Sequence, residues 1–466
     1  MTAGNLFMDF GLMSMLLIIA HLLRYWIKPL QRLYIPSSII AGFIGLFGGY
    51  QFLNIIPFAT NDSGSPFMSG YPTILIVILY ATLFFGGKTA EKKDGGLKKA
   101  VQNVGDTFFN CFSVQVGQYG IAVLIGLTIL AVLFPGLPAG FASLMPSGFI
   151  GGHGVATSIG TFYADNGWED ALTVGYTFAT AGLLVGLFGG IIMINIACRK
   201  GWTRLIKSPQ QLPDYMMSAF VPKEKREAIG NNTVHSISIE SLTWHLSLLL
   251  AAYVIGSWMV KLLGMIWSTI AVPQFATAMI AGFLLQKLLD LLGLGQYVDR
   301  KTMGSIGSCA TDYLVAFAVA TMNVKTVIQY AGPLMVLVLI GIVYCVFWTL
   351  WIGPRIYHNY WFERSIFVYG FATGVMATGV TLLRVVDPDA KTGTLEDYGI
   401  AYVVLSFLSV IIPIVVPAMI LNGQAWGLGI GATILAIIGI ILSKYMVGWF
   451  TQPKYVLREG EEDFQG

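Results

Sequence analysis

PSGFIGGHGVATSIGTFY, residues 146–163, is apolar enough to enter a lipid bilayer, yet too short and too glycine-rich to cross one as a regular helix. Backbone that leaves the helix at membrane depth frees N–H and C=O groups, and it persists only when buried in protein or lining a wet cavity. The chain holds a second segment of this kind, GFATGVMATGV at 370–380, and placing His153 on Thr373 aligns the two at an offset of 220 residues. A pair of such segments predicts a polar cavity inside a membrane protein.

The bulk composition agrees. Of 466 residues 56% are apolar and 11% charged, with a mean hydropathy of +0.72, against roughly 25% charge in a soluble domain. Runs such as YGIAVLIGLTILAVLF and MVLVLIGIVYCVFWTLWI approach the ~20 residues a spanning helix needs. The net charge of +3 is too small to argue for nucleic acid. Cys111, Cys198, Cys309 and Cys345 fall in or beside apolar runs without metal-ligand spacing, and read as free, buried thiols. No Walker, dinucleotide-binding or Ser-His-Asp pattern is present, so no cofactor, metal site or catalytic residue is expected. The N-terminus lacks a basic n-region and a cleavage site, so its first apolar run reads as a retained helix.

Hydropathy predicts spans near 6–23, 35–53, 72–87, 105–134 and 171–197, then near 240–265, 271–290, 306–324, 326–351 and 398–421, with an eleventh at 425–446. An outside N-terminus leaves only Lys261 and Lys325, of 27 basic residues, near the outer face, as the positive-inside rule requires. The domains expected are an N-terminal repeat over 1–197 with a hairpin at about 138–165, a cytoplasmic linker over 198–239, a C-terminal repeat over 240–421 with a hairpin at about 360–385, and a further apolar segment and tail over 422–466. Pro36 and Pro273 open the second helix of each half, each followed by Ile-Ala-Gly-Phe, at 40–43 and 280–283. Five spans per half is odd, so the second half enters from the opposite side. This is an inverted repeat of two five-helix halves, each with a re-entrant hairpin, an organisation common in secondary transporters.

A broken hairpin presents free N–H groups at the start of its outgoing helix, suited to a carboxylate; its freed carbonyls suit a small cation. Candidate substrate-binding residues are Ser147, Gly151, Gly152, His153, Gly154 and Thr157 in the first segment, and Thr373, Gly374 and Thr378 in the second, with Arg384 beyond it. Close helix packing is the competing role for Gly and Ser in membranes. His153 alone suits a hydrogen-bonded structural role as well as a ligand. Asp312 with Thr311 is a candidate cation site, since a mid-membrane charge costs roughly 2.5–3.5 kcal/mol; pairing or capping near the cytoplasmic end is the alternative. Asn110, Gln115 and Gln118 form a polar stripe that serves either cation binding or helix packing. Arg384 either forks onto a carboxylate or pairs with Asp387.

SGFIGGHGVATSIG resembles the Ser-Gly-Gly-His-Gly-Thr segment of the bacterial glutamate:sodium symporter family, and GFATGVMATGV resembles its second, Gly-Phe-Gly-x-Gly-Ala-Thr. IPSSIIAGFIG is similar to the family's Ile-Pro-Glu-Pro-Val-Ala-Gly-Gly stretch, and Gln118 matches a glutamine of its fourth helix. The likeness runs to about residue 421. It departs where Phe149 and Ile150 intervene before the glycine pair, where Ala377 replaces a frequent proline, and where Asp312 replaces a small polar residue. The resemblance implies an all-α, polytopic, dimeric elevator-type carrier. It implies a sodium-coupled uptake carrier for glutamate; the expectation is a symporter of an anionic amino acid, glutamate first, in the cell inner membrane, with Asp312, Thr311, Gln118 and Asn110, singled out by their polarity among apolar residues, near sodium. Another carboxylate, proton coupling, a membrane enzyme using His153 and Asp312, and a channel are the other readings.

Overall fold

The computed structural model describes residues 3–32, 35–60, 66–86, 97–206, 220–226, 228–266, 274–387 and 391–450. Among them every regular element is helical, and the one β-type pairing is an isolated bridge between Thr60 and Pro66. Pro273, the basic run at 92–96 and most of the central loop lie outside these residues. The helices are α1 (Ala3–Trp26), α2 (Ser37–Gly48), α3 (Tyr71–Thr82), α4 (Leu97–Ile125, extended by a π-turn over Gly126–Leu130), α5 (Leu144–Phe149), α6 (Gly152–Asp165) and α7 (Ala171–Lys200). After the linker come α8 (Ser241–Ile266), α9 (Gln274–Leu291), α10 (Arg300–Ala320), α11 (Ala331–Phe347), α12 (Trp361–Val386), α13 (Thr394–Leu421) and α14 (Ala425–Met446).

Among the described residues eight helical segments are long and apolar enough to cross a membrane, so the chain is a multi-pass membrane protein. The expected spans at 35–53 and 72–87 are shorter than hydropathy suggested, 12 residues each. After Gly48 the chain folds back on α2, with the N–H of Leu53 donating to Phe47 O and that of Ile55 to Gly48 O; apolar character continues past the helix end and so misplaces it. The expected span at 306–324 begins at Arg300, because Asp299 caps it by accepting from Thr302 N at 2.9 Å.

The chain divides into two compact units that cut across its halves. The first comprises most of α1 with α2, α3, α8, α9 and α10; the second holds α4 to α7 and α11 to α14. Each half therefore contributes its first three spans to one unit and its remaining helices to the other.

Within the first unit, the two Ile-Ala-Gly-Phe glycines have matching roles. A Cβ on Gly42 would lie 2.5 Å from Val319 Cβ and 2.9 Å from Ala316 O of α10, and one on Gly282 would lie 2.7 Å from Ala81 O of α3. Each glycine lets its helix meet the third helix of the other half, the close approach that small residues permit. Asp9, fully buried in α1, accepts from Ala59 N (2.8 Å) and Tyr71 Oη (2.7 Å), tying the 54–60 stretch and α3 to α1.

In the second unit the chain reverses twice. Ser143 Oγ lies 2.9 Å from Tyr163 Oη, whereas twenty residues of continuous helix would separate them by about 30 Å; α5 and α6 are the two arms of a helical hairpin. Likewise, a Cβ on Gly370 would sit 2.7 Å from Gly379 Cα. α12 breaks at Gly374 (φ −139°, ψ 34°) and Val375 (φ 65°, ψ 175°), so its 26 residues double back although they are long enough to cross.

α7 runs past both hairpins. A Cβ on Gly148 would meet Ala179 N at 2.5 Å, and one on Gly186 would meet Thr373 Oγ1 at 2.6 Å. The apolar segment after residue 424 is α14, which packs on α4 through small residues. Cβ atoms on Gly120 and Gly117 would lie 2.5 Å from Thr433 Oγ1 and 3.0 Å from Ala436 Cβ. Cys111, Cys198 and Cys345 are buried as expected, while Cys309 is exposed on α10, because its position on the helix face, which composition does not specify, turns it outward.

Candidate functional site

The two hairpin breaks meet. Gly152 opens α6 in the left-handed region (φ 61°), and a Cβ there would collide with Cγ1 of Val375, at the break of α12. The tips of segments more than two hundred residues apart are therefore in direct contact. Helix α6 starts from the bond Val155 N–H to Gly151 O (3.4 Å). The N–H groups of Gly152, His153 and Gly154 thus precede the first intrahelical bond, as helix starts require. Gly151, Gly154 and Val155 are half-buried there, and Met376 and Ala377 are exposed beside Val375.

The hydroxyls around the tips have spent their hydrogens. Ser147 donates to Ser143 O (2.6 Å) and accepts from Tyr119 Oη (3.2 Å). Thr157 donates to His153 O (2.6 Å), Thr373 to Tyr369 O (2.8 Å) and Thr378 to Gly374 O (2.5 Å). A hydroxyl has one hydrogen and two lone pairs, so these four groups have only acceptor capacity left. His153 is 4% exposed and its Nε2 lies 3.0 Å from Thr180 Oγ1 of α7; the imidazole is held between α6 and α7.

Gln118 of α4 reaches the second break: Nε2 donates to Ala372 O at 3.1 Å and to Cys345 Sγ at 3.4 Å. Its Oε1 is buried without a hydrogen-bond partner. Asn110 is committed at both ends, Nδ2 donating to Tyr357 Oη (2.9 Å) and Oδ1 accepting from Trp348 Nε1 (2.5 Å). Asp312 and Thr311 belong to the first unit. Thr311 donates to Gly307 O (2.9 Å), and Asp312 takes a hydrogen bond from Ser38 in the first turn of α2, where a helix N-terminus favours negative charge. Arg384 is exposed, and Asp387 spends its oxygens on Lys391 N (2.8 Å), Thr392 N (2.9 Å) and Thr392 Oγ1 (2.6 Å).

Among the described residues the buried arginine is Arg364, in the first turn of α12. It bonds Asp397 Oδ2 (2.8 Å), Thr392 O (3.1 Å) and Thr107 Oγ1 (3.4 Å). Next to it Asp106 binds His358 Nδ1 at 2.7 Å, and the buried Glu363 accepts from Arg204 N at 2.6 Å. These contacts join the base of the second hairpin to the loop that follows it, to α4 and to the stretch after α7. Sequence reading passed over them because WFERSIF and GDTFF stand at the edges of apolar runs, where charge reads as interfacial. Charge followed directly by uninterrupted apolar helix was the available signal.

A family model described as the sodium/glutamate symporter matches residues 5–382. The chain belongs to the sodium/glutamate symporter family. The match covers both tips and ends in the outgoing arm of α12, so α13 and α14 lie beyond it. No curated protein and no solved structure matches the chain. Membership of a symporter family, with the apolar helices, makes it a membrane transporter. It also accords with sodium as coupling ion. Among the described residues no cluster of His, Cys, Asp or Glu is arranged to hold a metal ion.

Proposed function

We propose that this family member imports an anionic amino acid, glutamate first, across the inner membrane with sodium, binding it where the two hairpin tips meet. The observation that carries the reading is the contact of Val375 with Gly152 at the start of α6, whose first N–H groups precede any intrahelical bond. Those donors suit a carboxylate. The lone pairs of Ser147, Thr157, Thr373 and Thr378 and the unpaired Oε1 of Gln118 suit a small hard cation, for which oxygen ligands without hydrogens are the matching chemistry. Ion and substrate thus draw on different groups of one site, which is a basis for coupling. Asp312 and Thr311 are the further cation candidates.

Two halves of opposed orientation, re-entrant hairpins, a homodimer, an outside N-terminus and an elevator movement of the hairpin-bearing unit complete the reading. The reciprocal seating of Gly42 and Gly282 supports the repeat. Inward movement of one positive charge yields about 2.3 kcal/mol per 100 mV, so two or more sodium ions per singly charged substrate would harness the membrane potential. The test is uptake of labelled glutamate by proteoliposomes under an imposed sodium gradient. Accumulation that needs sodium supports the reading; accumulation that persists without sodium and collapses with the pH gradient refutes the coupling ion. Saturable uptake of another carboxylate with none of glutamate refutes the substrate.

A further inference from the structure

Val375 stands where a β-branched residue is least at home. Its φ of 65° lies in the region that glycine enters freely and that a branched Cβ resists. Residues held in such conformations persist where the surroundings over-determine them, and they cluster at ligand clamps. Here the strained backbone turns the side chain onto the other tip. Cγ1 occupies the space a Cβ on Gly152 would need, and Cβ lies 3.8 Å from that position. Gly152 is itself at positive φ and has no side chain to give way. On either side the walls are rigid: a Cβ on Gly374 would meet Leu183 Cα at 3.1 Å, and Gln118 holds Ala372 O at 3.1 Å with its own Oε1 buried and unpartnered. The neighbours Met376 and Ala377 are exposed, and Val375 is the apolar group that the second tip sets against Gly152, the first residue of α6.

We propose that Val375 is a specificity-determining residue whose two methyls limit the bulk a substrate carries beside the carboxylate bound at the start of α6. The proposal rests on the site reading above. An apolar wall against the atom next to a carboxylate rejects an added methyl by sterics alone, and one carbon in such a pocket is worth roughly 10–200-fold.

The experiment measures dissociation constants of purified protein in sodium for glutamate, 2-methylglutamate and 4-methylglutamate, the last two carrying a methyl beside one or the other carboxylate. The ratio of methylated ligand to glutamate is compared within each variant, so the folded fraction cancels. Val375→Ala should improve the ratio for one methylated ligand by about tenfold, and Val375→Ile should worsen it. Ratios unchanged in both variants overturn the proposal. So does loss of all binding in Val375→Ala, which would make the side chain necessary for binding itself. Gly154→Pro removes one of the open N–H groups in the first turn of α6 without costing an intrahelical bond. If Gly154→Pro binds glutamate as tightly as the parent, the tip site itself is wrong. If Gly154→Pro weakens glutamate while the Val375 ratios stay constant, only the role of Val375 falls.

Discussion

Gly182 is the position where one methyl group tests the packing of the whole hairpin unit. It lies on α7, between Phe149 at the end of α5 and Thr373 just before the break of α12. A Cβ would stand 2.7 Å from Phe149 Cδ1 and 3.0 Å from Phe149 Cα, and it would also overlap Thr373 O. Two of those obstacles are backbone, so no rotamer change relieves them. Gly182→Ala therefore forces one hairpin away from α7, at about 1–3 kcal/mol for an overpacked core. Because the obstacles are rigid, the upper part of that range applies. The opposing gain in helix propensity is about 1 kcal/mol, leaving a net loss of about 2 kcal/mol. At about 2–4 °C per kcal/mol for domains of a few hundred residues, Tm should fall by about 4–8 °C. The assay is fluorescence-detected thermal unfolding in detergent at a fixed scan rate, with Gly427→Ala as control. Gly427 has nothing within 4 Å of its added Cβ, so that variant should match the parent or exceed it. A Tm for Gly182→Ala equal to the control would refute the packing of α7 against both hairpins.

Asp9→Ala should lower stability by about 2–6 kcal/mol in the same assay, since Ala59 N–H and the Tyr71 hydroxyl lose a buried acceptor at about 1–3 kcal/mol each; Asp9→Asn should recover part of the loss. Asn110→Leu should destabilise the protein by removing the acceptor of the buried Trp348 Nε1, and leave the sodium dependence of uptake unchanged. A raised sodium requirement at unchanged Tm would instead assign Asn110 to an ion. Burial works against ionisation of Asp299, but hydrogen bonds from Thr302 and Asn231 outweigh it and hold the carboxyl at about 2. Its folded value lies below the unfolded ~3.9, so its contribution is full above that pH and is lost as pH falls towards 2. Hydrogen exchange at 228–233 should accelerate over that interval, and Asp299→Asn should flatten the change.

How legible the site was depended on the kind of residue. Gly152 and Gly374 were readable because glycine interrupts a helix wherever it recurs among apolar residues, and both stand at breaks of the helical backbone. Hydroxyl-bearing Ser147, Thr157, Thr373 and Thr378 were readable as polar groups, but not as groups whose hydrogens are already spent on carbonyls four residues back. Asn110 and Gln118 looked alike on one stripe; in the fold Asn110 has both ends occupied and Gln118 keeps an open oxygen. Among the arginines, Arg384 attracted attention by following the second segment, whereas Arg364 is the one buried against Asp397.

The sequence by itself determined that the chain is a multi-pass helical membrane protein, where its helices break, and which symporter family it resembles. The first two follow from local composition, since lipid imposes apolar length and only glycine-rich backbone leaves a helix cheaply; the third rests on motifs the chain resembles. The tertiary structure alone decided that Gly152 meets Val375, that α7 is thinned by glycine beneath both hairpins, and which polar atoms remain open. Those facts depend on helices distant in the chain approaching within van der Waals contact, and that approach is governed by small residues on several helices at once rather than by any one segment's pattern.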